Sequence, residues 1–221
     1  MKNKIKRTEK IKNNGFTLAE VLITLVIIGV IAAMTIPTLI NKTNNNEYTS
    51  RLKKVYSALS QATNTIISQE GSPKEWASTN ESFFNMYKKH LQVMKDCSGG
   101  KCFPDVKYKY RKGTYHDSYI NRNSLFSLKL SDGTPVLFGW TDGGECSQRD
   151  TGTYDYCGII IVDINDIKAP NAYGRDLFAF GLKENGLYPM GCDDNGSDFC
   201  SASSEGLGCT CKVIREGAIN Y

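Results

Sequence analysis

From Val21 to Ile40 the chain carries no charged residue, its apolar side chains interrupted only by Thr24, Gly29, Thr35, Pro37 and Thr38. As a helix rising about 1.5 Å per residue, such a run is about 30 Å long, the thickness of a bilayer's hydrocarbon. It reads as a membrane helix. Downstream the pattern becomes amphipathic, with Tyr48, Leu52, Val55, Tyr56, Leu59, Ala62, Ile66 and Ile67 at three- and four-residue steps and Lys53, Lys54, Ser57 and Gln61 between them. That spacing lays one apolar stripe along a helix, and Gly71-Ser72-Pro73 supplies stop signals. The prediction is one long helix from about Phe16 to Glu70, kinked at Pro37, half in lipid and half on a globular domain.

A second helix is expected from Asn80, as N-cap, through Phe83, Phe84, Tyr87, Leu91 and Met94. From Leu125 the period changes to two. Leu125 to Leu130 and Pro135 to Trp140 read as strands joined by a Ser131-Asp132-Gly133-Thr134 turn, and Ile159 to Ile164 and Leu177 to Leu182 as two more. Four strands against one long helix make an α+β domain on a small antiparallel sheet. The region beyond Pro189 is rich in Gly, Ser and Cys, with little period of its own, so cross-links are expected to hold it. The organisation that follows is a basic leader at 1–15, a transmembrane segment at 16–40, an amphipathic continuation at 41–71 and an extracytoplasmic domain at 72–221.

Charge fixes the orientation. Lys2, Lys4, Lys6, Arg7, Lys10 and Lys12 precede the apolar run with only Glu9 against them, which keeps the N-terminus in the cytoplasm. The formal net charge of +4 lies in that leader; without it 21 basic side chains face 22 acidic ones, so whole-chain charge says nothing about nucleic acid. All eight cysteines, Cys97, Cys102, Cys146, Cys157, Cys192, Cys200, Cys209 and Cys211, fall on the outward side, where an even count reads as a disulfide framework. Cys97 with Cys102 and Cys146 with Cys157 are near enough in sequence to pair. Cys209 and Cys211, two apart in extended chain, point to one face and reach back to Cys192 or Cys200. Zinc is disfavoured, since there is no Cys-x-x-Cys pair and the only histidines are His90 and His116.

Glu20 stands at the edge of the apolar run, where a carboxylate costs about 2.5 to 3.5 kcal/mol at full depth and demands a cationic partner. The helix offers none nearby. A cut between Gly15 and Phe16 would create an ammonium close to Glu20, and equivalent ones on neighbouring copies. No Ala-x-Ala cleavage site of the secretory kind follows the run.

Gly15-Phe16-Thr17-Leu18-Ala19-Glu20-Val21-Leu22-Ile23, behind a basic leader, resembles the class III signal of type IV prepilins and type II secretion pseudopilins. The resemblance implies removal of the leader by a membrane prepilin peptidase after Gly15 and methylation of Phe16. It also implies assembly through Glu20 and Pro37 into a filament with copies of itself or other pilins, out of the cytoplasmic membrane whose lipid first holds the helix. A membrane-anchored extracellular binding module or a DNA-uptake minor pilin is the alternative.

Catalysis finds little support, since neither His90 nor His116 lies in a nucleophile or base motif and no phosphate-cradling glycine loop appears. The stretch from Asp163 to Asp176 concentrates hard oxygen donors, which makes Asp163, Asn165 and Asp176 candidate calcium ligands; calcium takes about six to eight such oxygens. Some pilins and pseudopilins bind calcium in comparable loops. The simpler expectation is a connection whose Asp and Asn side chains cap their own backbone. Lys107-Tyr108-Lys109-Tyr110-Arg111-Lys112 has the composition of a nucleic-acid surface, but its alternation also suits an edge strand guarded by lysines, the favoured reading.

Overall fold

The computed structural model describes residues 15–76, 79–97, 102–103, 107–116, 126–140, 146, 156–166, 168–192 and 200–221. The leader before Gly15, Leu125 and the interior of the Cys97 to Cys102 loop lie outside them. The chain divides into two compact units, Met1–Thr43 and Asn44–Tyr221. A single helix, α1 (Leu18–Glu70), runs from the first into the second and passes Pro37 without interruption.

In the second unit α1 buries Thr49, Leu52, Val55, Leu59, Ala62, Thr63 and Ile66, one face of a 3.6-residue period. This stripe packs on an antiparallel six-stranded sheet, whose strands are β1 (Val93–Asp96), β4 (Phe126–Leu130), β5 (Pro135–Trp140), β6 (Gly158–Asp163), β7 (Leu177–Lys183) and β8 (Gly186–Pro189), in the order β1-β4-β5-β6-β7-β8. Each strand pairs with the next of the six in sequence, so the sheet is a meander built from local connections. The shared core includes Leu59, Ile66, Val136, Ile160, Val162, Phe178 and Phe180, each fully buried and each contributing about 1.5 to 3 kcal/mol by leaving water. Helix α2 (Asn80–His90) adds Phe83, Phe84 and Tyr87, whose rings meet Phe138 at centroid distances of 5.9, 5.7 and 5.4 Å.

Several expectations are corrected. The α2 cap is Thr79, whose side chain accepts the Ser82 N–H, rather than Asn80. The helix also stops at His90. Leu91 is extended and Met94 lies in β1, because Val93 pairs with Leu130 and Gln92 accepts the Ser131 N–H. Strand pairing there overrides the helical spacing of Leu91 and Met94. The sheet has six strands rather than four, β1 and β8 being too short to show a period. Lys107 to Lys112 lies outside that sheet: β2 (Tyr108–Lys109) pairs with β3 (Tyr115–His116) as a separate two-stranded ribbon, and Lys109 also bridges Ala172.

The far face of the sheet is buried too. Leu137, Ile161, Leu177, Ala179 and Met190 there contact Phe103, Tyr108, Tyr156 and Tyr173, brought by loops rather than by a helix. Four disulfides tie these loops down: Cys97–Cys102, Cys146–Cys157, Cys192–Cys211 and Cys200–Cys209, with Cα separations of 5.5, 4.0, 5.2 and 4.6 Å. The last two end on α3 (Cys209–Glu216), a helix in the stretch read as aperiodic. Cys209 and Cys211 therefore diverge because two helical residues point about 200° apart, not because an extended chain turns both one way. Thr210, between them, accepts the Ala179 N–H on β7, and Cys211 N–H donates to the Met190 carbonyl. Gly191 makes this approach possible: a Cβ there would stand 2.0 Å from the Gly208 carbonyl oxygen.

Candidate functional site

The N-terminal segment is the first candidate. Thr17 and Glu20 form a reciprocal cap at the start of α1: Thr17 N–H and Oγ1 donate to Glu20 Oε2 at 2.8 and 2.7 Å, and Glu20 N–H donates to Thr17 Oγ1 at 3.2 Å. The partner missing from the charge pattern is thus supplied within the helix by hydrogen-bond donors rather than by a cation. Its sequence signal is Thr-x-x-Glu ahead of an apolar run. An 18-residue stretch of α1 has a mean hydropathy of 2.5 with none of it buried, long and apolar enough to cross a membrane. Its polar side chains are satisfied internally: Thr24, Thr35, Thr38 and Thr43 hydroxyls donate to carbonyls three or four residues back. No hydroxyl in this set therefore needs water, which suits an apolar surrounding. Pro37, lacking an N–H, leaves the Ala33 carbonyl without its helical donor. Gly15 and Phe16 precede the helix, and Phe16 is 89% exposed.

The loop from β6 to β7 is the second candidate. Asp163 and Asp176 are fully buried, side by side in the β6–β7 connection, where the Ile164 N–H donates to the Asp176 carbonyl. Their carboxylates are committed. Asp163 accepts Tyr108 Oη–H at 2.6 Å and the Asn165 N–H at 3.2 Å, while Asp176 accepts the Asn171 and Ala172 N–H groups, each at 2.6 Å. Asn165 turns its amide nitrogen to Tyr48 Oη and the Ala169 carbonyl, and its side chain also hydrogen-bonds Asp176. Among the described residues no group of three His, Cys, Asp or Glu gathers to hold a metal. Acceptors left without a hydrogen bond are Asn165 Oδ1, Asp166 Oδ1 and Asn171 Oδ1; the other Asp166 oxygen pairs with Lys129 Nζ at 2.7 Å.

Burial lifts Asp163 to about 8, helped by the Asp176 and Asp166 charges and opposed by the Tyr108 and Asn165 hydrogen bonds. Asp176 is raised as well, by burial, against the N–H groups it accepts. Burial and the neighbouring Asp163 also raise the Tyr108 phenol. Among the described residues no cation bonds Asp163, so protonation is what relieves its burial.

The ribbon is the third. Lys109 N–H donates to Asn171 O and Tyr173 N–H to Lys109 O, while Arg111 and Lys112 N–H groups donate to Glu205 and Ser204 carbonyls. Tyr110 stacks on Tyr173 at 5.2 Å. The histidines remain apart: His90 is an exposed residue at the end of α2, and His116 ends the ribbon.

The comparisons with known proteins agree with this division. Residues 10–36 match the prokaryotic N-terminal methylation motif, a type IV prepilin-like signal, and residues 38–202 match a family of unknown function, DUF6613. No curated protein and no solved structure matches the chain.

The Asp163 geometry predicts an unusual pH dependence. Its folded pKa is raised above the ordinary 3.8, so its contribution to stability is complete below about pH 4 and is lost as pH rises through about 8. Denaturant midpoints should fall across that window, by at most about 1.4 kcal/mol per pH unit for one proton. Asp163→Asn, which keeps an acceptor for the Asn165 N–H and turns the Tyr108 contact round so that the amide donates to the Tyr108 oxygen, should flatten the slope; an unchanged slope would place the proton elsewhere.

Proposed function

We propose that this chain, which belongs to the family of unknown function DUF6613, is a structural subunit of a type IV pilus or type II secretion pseudopilus. The observation that carries the proposal is the methylation motif over 10–36, set at the head of a helix whose large apolar residues from Leu18 to Ile40 are exposed. An exposed surface of Leu22, Ile23, Leu25, Ile28, Ile31 and Leu39 needs either lipid or the same surface on other copies. A filament subunit uses both in turn. It waits in the cytoplasmic membrane with its leader in the cytoplasm, loses that leader after Gly15, is methylated on Phe16, and is packed through the helix with like subunits. In that packing the Phe16 ammonium of one copy competes with Thr17 for Glu20 of another, and in a low-dielectric setting the charge pair prevails over the neutral cap. A catalytic role has no support in the geometry described above.

For the 163–176 loop we propose a structural role, in which Asp176 caps the backbone of residues 171 and 172 and Asp163 anchors the ribbon. This favours the capped connection over the calcium site.

Peptide sequencing of the membrane-extracted protein should begin at N-methylated Phe16, and Gly15→Leu should leave the leader attached, because a bulky side chain blocks the peptidase at the scissile bond. Maturation of that variant to Phe16 would refute the processing step. Glu20→Ala should mature yet give few filaments by electron microscopy; wild-type filament yield would remove the ammonium pairing. Millimolar calcium added after a chelator should leave the Tm of the protein unchanged. A rise in Tm that Asn171→Ala abolishes would instead make calcium ligands of Asn165, Asp166 and Asn171.

A further inference from the structure

The four bridges differ in what solvent can reach. Cys97, Cys102, Cys157, Cys200, Cys209 and Cys211 are buried and Cys146 is half-buried. Of the eight cysteines, Cys192 alone is exposed. Its partner, Cys211, keeps only 6% of its surface, so the Cys192–Cys211 bridge has one open end and one closed end. Thiol–disulfide exchange requires a thiolate to reach one sulfur of the pair, and access to that sulfur governs the rate. This bridge is therefore open to attack from the Cys192 side, and the sulfur released is that of Cys211.

The surroundings decide what happens once the bridge opens. Helix α3 does not depend on it: Cys209 stays bonded to Cys200, Thr210 Oγ1 accepts the Ala179 N–H at 3.0 Å, and Val213 is fully buried in the core. Cys211 N–H donates to the Met190 carbonyl at 3.0 Å, two residues before Cys192, and Gly191 lies against the Gly208 carbonyl. These backbone contacts hold the Cα atoms of Cys192 and Cys211 within bridging range, 5.2 Å apart, without help from the sulfurs. A freed Cys211 thus stays beside Cys192 at an effective concentration that favours reclosure. It does not attack the neighbouring bridge, because Cys209 points about 200° away on the same helix. Opening is local, reversible and confined to one bridge.

We propose that Cys192–Cys211 is a thiol-exchange site, at which Cys192 takes up a low-molecular-weight thiol as a mixed disulfide and gives it back while the domain stays folded. In the forward step the incoming thiolate bonds to Cys192 Sγ, the Cys192–Cys211 bond breaks, and its electron pair leaves on Cys211 Sγ, which takes a proton from water. One disulfide replaces another, with no net oxidation. In the return step the Cys211 thiolate attacks Cys192 Sγ and expels the thiol. The proposal rests on the folded domain and not on the filament reading, so either can fail alone.

The test uses the full, oxidised chain in phosphatidylcholine nanodiscs, with millimolar reduced glutathione as the thiol. Samples quenched with N-ethylmaleimide at successive times are mapped by mass spectrometry. Glutathione should appear on Cys192 and maleimide on Cys211, at least about tenfold faster than any other cysteine is labelled. The rate should be unchanged in low urea, since no unfolding is needed, and the near-ultraviolet circular dichroism should stay native. Removing the glutathione from an unquenched sample should close the bridge again. Cys192→Ser combined with Cys211→Ser should abolish the fast adduct and leave the other three bridges closed. The wild-type time course decides the matter even where that variant fails to fold. Glutathione on Cys211, equally fast labelling of Cys146 and Cys157, or a rate that climbs steeply with urea would overturn the proposal. So would a bridge that stays open after glutathione is removed, or four bridges that all resist it.

Discussion

A single helix with two incompatible surfaces sets the terms for everything else in this molecule. Along Leu18–Glu70 the first part exposes apolar side chains all round, and the last part confines them to one stripe that the sheet covers. No water-soluble state satisfies the first part, because a helix apolar on every side needs a membrane or other helices around it. The threonine hydroxyls and the Thr17–Glu20 cap extend this logic to the polar groups, leaving few that require solvent. Meanwhile the stripe from Thr49 to Ile66 gives the domain its core wall, so the apolar span and the wall of the fold belong to one helix.

The two faces of the sheet are held by different physics. On the α1 face the burial is periodic and apolar, with Phe138 gathering the rings of α2. Loops on the far face supply tyrosines, and these need polar partners when buried. Tyr108 finds Asp163, while the surrounding chain is fixed by backbone hydrogen bonds, capped turns and disulfides. Each bridge removes freedom from the unfolded chain and contributes about 2 to 4 kcal/mol on that account. An aperiodic layer can be ordered in this way, without a long amphipathic element to cover the sheet.

This difference explains what could be read from the residues alone. Helix α1, the β4–β5 hairpin with its Gly133 turn, and the apolar runs of β6 and β7 all announce themselves by period or turn chemistry, and each lies within a residue or two of its expected position. Strands β1 and β8 are four residues long, and α3 eight, too short for periodicity to accumulate. Their existence depends on pairing across the fold: Val93 with Leu130, Phe180 with Pro189, Cys211 with the Met190 carbonyl. The Thr17–Glu20 cap is legible as Thr-x-x-Glu, a partner for the carboxylate made of hydrogen-bond donors and not of charge. The difference in exposure between Cys192 and the other cysteines is not legible at all, because it arises only after the chain has folded.

The same contrast bears on where this protein's individuality lies. The apolar half of α1 can carry little specific information, since lipid and like helices reward any smooth apolar surface of the right length. A periodic core likewise tolerates exchange among residues of similar volume. The loop layer is different: Asp163 is buried at a cost that an apolar residue would avoid, and Gly191 is fixed by contact with a backbone oxygen. Buried polar groups of this kind stabilise poorly and specify well, provided their partners are in place. The ribbon that Tyr108 anchors through Asp163 is also the one that carries Lys109, Arg111 and Lys112 outward. Whatever distinguishes this protein from others that carry the same N-terminal motif is therefore to be sought on the disulfide-tied face of the sheet, where an internal carboxylic acid fixes the position of the ribbon that carries Lys109, Arg111 and Lys112.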